Sequence, residues 1–204
     1  MKELVVATRN RGKLKEIQAL LSGVVENVRC AADFPGFPET VEDGLTFEEN
    51  ALKKAREAML HTGLPALADD SGLTVDALDG RPGVYSARFA GEGAGDAENN
   101  RKLLEELAGT PAGRRRAAFV CQLAFVNPAG DQQLFGGRIG GRILTAPRGE
   151  GGFGYDPLFL VDGYERTMAE LALSEKNAIS HRGQALQQFR IYLEQETIRE
   201  KRTR

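Results

Sequence analysis

The stretch LADDSG, Leu67 to Gly72, sets two carboxylates, Asp69 and Asp70, side by side after an apolar run. At the end of a buried strand such a pair repels and loses hydration, which raises the pKa of at least one member unless a cation lies close. A hard divalent ion removes that conflict. Mg2+ takes oxygen ligands, keeps several waters, and is usually held by one or two carboxylates together with substrate phosphates. Glu39, Glu42 and Asp43 of PETVEDG offer a second ligand. An aspartate left over can orient or deprotonate an attacking water. The competing reading has Asp69 capping a turn and Asp70 facing solvent.

Two further strings bear on anions and flat rings. TRNRGK presents Thr8, Asn10 and Lys13 where a strand passes into a helix, whose unpaired N–H groups and dipole favour an anion. It is not a Walker A loop, because Leu14 follows Lys13. The same string could also be no more than a capped helix start. GEGGFG, Gly149 to Gly154, formally matches GxGxxG, but YDP follows it where a dinucleotide fingerprint would open a helix. This loop lets backbone approach a flat ligand, with Phe153 or Tyr155 available to stack. SEKNAISHRG gathers Lys176, Ser180, His181 and Arg182 around a helix start, donors suited to reading acceptors, while Asp156 can read an N–H. With His61 and His181 the only histidines, multi-histidine metal centres are excluded, and no GxSxG elbow is present.

The elements that must position these residues alternate strand and helix, which points to an α/β fold. ELVVAT reads as a strand, KLKEIQALL as a helix, and TFEE starts a second helix through the capping-box spacing of Thr46 and Glu49, running to about His61. LPALA is a short buried strand ending at Asp69. GDAENNRKLLEELAG is a helix capped by Asp96 and stopped by Gly109. RAAFVCQLAFV is the longest strand, turning at NPAGD into QQLFGGRIGGRIL, a hairpin with glycine kinks that makes the sheet mixed. SHRGQALQQFRIYLEQE is the last long helix. The domain reading is one unit over residues 1–198 followed by a polar tail at 199–204.

The 204 residues, 41% hydrophobic, suffice for one sizeable core. Lys and Arg total 27 against 29 Asp and Glu, so the net charge of −2 gathers neither a nucleic acid polymer nor an anionic membrane. An anion site must be local. The absence of any long apolar run near the start predicts a cytoplasmic protein, and Cys30 and Cys121 read as ordinary packed thiols.

Six motifs, TRNRGK, GLTFEENALKKA, ADDSGL, GRPGVYSARFAG, GGFGYDPLF and SEKNAISHRGQAL, stand in an order and spacing that resembles the inosine triphosphate pyrophosphatase family, the XTP/dITP diphosphohydrolases, from about Leu4 to Leu193. The resemblance implies a two-lobed fold with a long mixed sheet flanked by helices, a central substrate cleft, and usually a homodimer. It implies Mg2+-dependent hydrolysis of non-standard purine nucleoside triphosphates (dITP, ITP, XTP) to the monophosphate and pyrophosphate. Carried over by motif, Thr8, Asn10, Lys13 and Lys54 would hold the triphosphate. Glu42, or its neighbour Glu39, and Asp70 would hold the metal. Asp70 would accept the proton of water with Asp69 as its partner, and Ser71 would touch substrate. Phe153, Gly154, Tyr155, Asp156, Lys176, His181 and Arg182 would form the base and sugar pocket. A 6-oxo purine would satisfy donors from His181, Arg182 or backbone N–H groups that the 6-amino group of adenine leaves unpaired, a difference worth about 10⁴-fold at such sites.

Overall fold

The structure, a computed structural model, describes residues 1–37 and 39–202, with backbone alone for residues 200–202. Strand β1 (Glu3–Val6) is apolar beyond its first residue and leads into helix α1 (Arg11–Leu21), where Ile17 and Leu21, one turn apart, are buried. Strand β2 (Asn27–Cys30) follows. Helix α2 (Phe47–Thr62) begins with the expected capping box: Glu49 N donates to Thr46 Oγ1 at 3.1 Å, and Thr46 N donates to Glu49 Oε2 at 3.2 Å. It ends at Gly63, whose φ of 67° suits the left-handed stop.

Strand β3 (Ala66–Val75) corrects the expected short strand that stops at Asp69. Ser71 and Gly72 are turn formers by composition, yet Leu73 and Val75 beyond them are fully buried and keep the backbone extended. Asp69 and Asp70 therefore lie inside a strand. Helix α3 (Asp96–Glu106) also starts differently: Gly95 is the cap residue, its N–H donating to Glu98 Oε2 at 2.9 Å, and Asp96 is the first helical residue.

Strands β4 (Arg116–Val126) and β5 (Gln132–Ile143) form the hairpin, followed by the short β6 (Phe159–Val161). β5 runs unbroken through both glycine pairs. At Gly141 a Cβ would lie 2.4 Å from the Leu160 carbonyl oxygen, so glycine is what lets β6 pair closely there. Helices α4 (Leu173–Ile179) and α5 (His181–Arg202) divide the SEKNAISHRG donors between them. α5 continues through Arg202, past the point where a polar tail was expected.

The six strands hydrogen-bond in the order β2-β1-β3-β4-β5-β6. β1 is parallel to β2 and β3, with Val5 opposite Arg29 and Ala66, while β5 and β6 are antiparallel. The sheet is mixed, as the sequence implied. Residues group into two compact units, the first made of 1–70, 121–136 and the chain from 182 onward, the second of 71–120 and 137–181. The first has a core of Leu4, Ile17, Leu67, Leu123, Phe125 and Phe189; that of the second includes Leu73, Leu103, Phe119, Leu158 and Phe159. Each such side chain contributes about 1.5–3 kcal/mol on full burial. Among the described residues no helix is long and apolar enough to cross a membrane.

Candidate active site

Successive residues of a strand point to opposite faces, and β3 uses that to separate its two carboxylates. On one face Leu67 packs in the cluster with Ile17, Leu21 and Phe189; on the other Ala68 packs with Ala51 and Ala55 of α2. Asp69 follows Leu67. Its side chain is fully buried, ion-paired to Lys13 of α1, and meets Arg182 of α5, Nε at 2.8 Å and Nη2 at 3.4 Å. Cys121 donates to it at 3.1 Å. Arg182 in turn reaches Glu16 at 2.6 Å. Burial opposes charge on Asp69, but Arg182 and Lys13 outweigh it and hold the carboxyl well below its ordinary range.

Asp70 follows Ala68 toward α2. Lys54 Nζ donates to Asp70 Oδ1 at 2.9 Å, to Glu42 Oε1 at 2.7 Å and to the Asp69 carbonyl oxygen at 2.8 Å. One helical turn earlier, Asn50 is wholly buried; its Nδ2 donates to Asp70 Oδ2 at 3.2 Å and its Oδ1 accepts from Gly44 N at 2.8 Å. Asn50 and Lys54 thus tie both oxygens of Asp70 to the segment that carries Glu42. Burial, with the Glu42 charge adding to it, pushes the Asp70 carboxyl up against the pull of Lys54 and Lys13. Lys54 is raised as well, because Asp70 and Glu42 outweigh the burial that works against its charge. The like-charge conflict expected of Asp69 and Asp70 is met by the protein's own cations, one set on each strand face.

The β1–α1 join is a turn closed by side-chain oxygens. Thr8 Oγ1 accepts from Asn10 N at 3.1 Å and Asn10 Oδ1 accepts from Lys13 N at 3.0 Å, so these two side chains build the turn with their oxygens. The Thr8 hydroxyl hydrogen and the Asn10 amide hydrogens are donors that these bonds do not use. The Lys13 side chain is 16% exposed, against 0% for Asp69. It is the cation on that face of β3 that solvent reaches.

The second unit brings Phe153, Asp156 and Lys176 together. Lys176 Nζ donates to Asp156 Oδ2 at 2.5 Å and lies 4.7 Å from the Phe153 ring centroid, while Phe153 N donates to Asp156 Oδ2 at 3.0 Å. His181 stacks on Phe119 with centroids 4.9 Å apart and planes 14° from parallel. Tyr155 is 4% exposed and its hydroxyl donates to the Ser86 carbonyl at 2.8 Å, so it anchors the loop rather than stacking on a ligand. Burial raises its pKa, with the Asp96 charge adding to it, and keeps that hydroxyl a donor. Gly154 bonds through both its N–H and its C=O to α3.

The Ham1 family model matches residues 4–192. The chain belongs to the Ham1 family. Relatives named dITP/XTP pyrophosphatase include one from Geobacter sulfurreducens, 61% identical over 186 residues that cover 91% of this chain and 94% of the relative. Another, from Exiguobacterium sibiricum, is 54% identical over 187 residues, 92% of this chain and 94% of the relative. The solved structure of a HAM1 protein from Coxiella burnetii superimposes with a TM-score of 0.86 at 47% identity, covering 96% of this chain and all of that one.

In this Ham1 chain the residues carried over by motif fall into separate groups. Glu42, Lys54 and Asp70 meet, and Glu42 rather than the exposed Glu39 shares the Lys54 ammonium with Asp70. Arg182, expected in the base pocket, is 1% exposed and held with Asp69 and Glu16. Asp69 and Asp70 therefore have separate partners, Lys13 and Arg182 for the one and Lys54 and Asn50 for the other. Ser71 continues β3 beyond Asp70. Sequence reasoning missed Glu16, Asn50, Asp96, Asn100 and Phe119. Only Asn50 left a legible sign, standing four residues before Lys54 on the same helix face; Phe119 reads as one more apolar residue of β4.

Among the described residues no group of three or more His, Cys, Asp or Glu side chains is arranged to hold a metal. The donor set that does exist suits a hard ion: Glu42 and Asp70 converge on one ammonium nitrogen, so their oxygens already face a shared cationic position. Two carboxylates with phosphate oxygens and water are what Mg2+ takes.

Proposed function

We propose that the protein hydrolyses the non-standard purine nucleoside triphosphates dITP, XTP and ITP to the monophosphate and pyrophosphate, with Mg2+ as cofactor. The observation that carries this reading is the convergence of Glu42 and Asp70 on Lys54, in the same unit as an anion-favouring β1–α1 join. The names of its relatives, dITP/XTP pyrophosphatase, support the base class and the release of pyrophosphate.

Glu42 and Asp70 would hold Mg2+, which supplies neutralising charge to phosphate oxygens when bound. Lys54 keeps both carboxylates in place, and Asn50 aligns Asp70. Lys13, Lys54, Thr8 and Asn10 bind the triphosphate, aided by the amino-terminal N–H groups of α1. Asp70 accepts the proton of the water that attacks the α-phosphorus. The bond from that phosphorus to its bridging oxygen breaks and pyrophosphate leaves. Ser71 touches the substrate beside Asp70. Phe153 stacks on the base, and Lys176, His181 and Asp156 read its edge, a task in which the buried Arg182 takes no direct part.

The test incubates the protein with dITP, XTP, ITP, dGTP, dATP and dUTP separately, with Mg2+ or with EDTA, measuring pyrophosphate and orthophosphate independently. Pyrophosphate from dITP, XTP and ITP alone, abolished by EDTA, is the expected result. Orthophosphate, or a preference for another base, refutes the register of cleavage or the base reading. The homodimer implied by the family resemblance is checked by light scattering, which should return the mass of two chains.

A further inference from the structure

Helix α3 grips a single glycine by both of its backbone polar groups. Gly154 N donates to Asp96 Oδ2 at 2.7 Å, and Gly154 O accepts from Asn100 Nδ2 at 2.8 Å. Asp96 and Asn100 stand at i and i+4, one turn apart on one helix face. The geometry is specific to the donor and acceptor sense of each side chain: a carboxylate can only accept and takes the N–H, whereas an amide turned to donate takes the carbonyl. Asn100 Oδ1 is buried and makes no hydrogen bond among the described residues, so the side chain leaves one polar atom unsatisfied in the pose that serves Gly154. The glycine itself has φ of 62° with open space where a Cβ would stand, so backbone conformation alone calls for it.

The gripped peptide is flanked by the residues assigned to the base. Phe153 precedes it, with its ring over the Lys176 ammonium, and Asp156 follows two residues later, accepting from both Phe153 N and Lys176 Nζ. Tyr155 fastens the intervening position to the Ser86 carbonyl. A run such as GGFG has little side-chain packing of its own, and recognition groups must be held within about 0.5 Å to discriminate. We infer that Asp96 and Asn100 are positioning residues for base selection, setting the pose of Phe153 and Asp156 through the Gly154 peptide. This inference rests on the proposed function, and its test separates the two.

The kcat and KM for dITP and dATP are compared in the unaltered protein and in Asp96→Ala, Asp96→Asn and Asn100→Asp, with thermal melting of each. For Asp96→Ala the expected result is a KM for dITP raised about tenfold with kcat within about threefold, and a dITP-over-dATP ratio of kcat/KM lowered about tenfold. Asp96→Asn retains an oxygen that accepts from Gly154 N and should restore the ratio. Asn100→Asp, of equal size, sets an acceptor against the Gly154 carbonyl and should lose discrimination at least as far as Asp96→Ala. Should Asp96→Ala fail to fold, the contrast between the two isosteric variants decides the matter. Ratios unchanged within about twofold in folded Asp96→Ala and Asn100→Asp overturn the inference, as do equal losses in kcat for both nucleotides. An unaltered protein that does not prefer dITP overturns the proposed function and this inference together.

Discussion

Replacing Asp69 by Asn keeps the shape of a fully buried side chain while removing the charge that Lys13 and Arg182 face. No cavity opens, so the loss falls on electrostatics. Removing one member of a buried charge pair costs about 3–5 kcal/mol, because the partners keep their desolvation penalty without their counter-charge. For a chain of this length each kcal/mol moves the melting midpoint by about 2–4 °C, so Asp69→Asn should lower it by about 6–20 °C at neutral pH. Thermal melting by circular dichroism gives the number directly. A double-mutant cycle with Arg182→Gln should return a coupling of about 1–3 kcal/mol. A midpoint within about 2 °C of the unaltered protein, or a coupling of zero, would refute the assignment of Asp69 to the framework.

Asp70→Asn acts on the other strand face and is expected to lower turnover of dITP at least ~10²-fold in a protein that still shows a cooperative melt; a rate within tenfold removes Asp70 from its role. Gly44→Ala places a Cβ 2.6 Å from Asn50 Oδ1 and 2.9 Å from Glu49 Cβ, so it should displace Asn50, cost about 1–3 kcal/mol in a urea titration and reduce kcat. Unchanged stability and kcat would show that the Gly44 contact does not hold Asn50. With Ellman's reagent at pH 8, the half-buried Cys30 should react in the native protein, whereas Cys121, whose thiol is pushed up by burial and by Asp69, should react only after unfolding. Rapid native labelling of both thiols would contradict the burial of Cys121.

Much of this molecule is legible in its sequence where local chemistry and periodicity agree. The Thr46–Glu49 box and the full length of β4 follow from capping geometry and apolar runs. Three features do not. The continuation of β3 is hidden because Ser71 and Gly72 favour turns and because a strand buried on both faces shows no alternation. Arg182 stands next to His181 in sequence, but consecutive helical residues diverge by about 100°, and the two side chains join different groups. Asp96 is read as a cap by its type and position, yet Gly95 fills that place and frees the carboxylate for a glycine 58 positions along the chain.

The burial of β3 on both sides also bears on register. In a half-exposed strand a slip of one residue is punished by sending apolar side chains into water. Here Leu67 and Ala68 are both fully buried, so exposure cannot detect the error. A slip one way would turn Asp70 toward Arg182 and Lys13 and leave Lys54, with its Glu42 partner, facing Ser71; a slip the other way would turn Asp69 toward Lys54 and leave Arg182 and Lys13 facing Ala68. The adjacent aspartates therefore act as a parity mark: each is readable only on its own side, and together they distinguish the native pairing of this strand from its nearest misalignment.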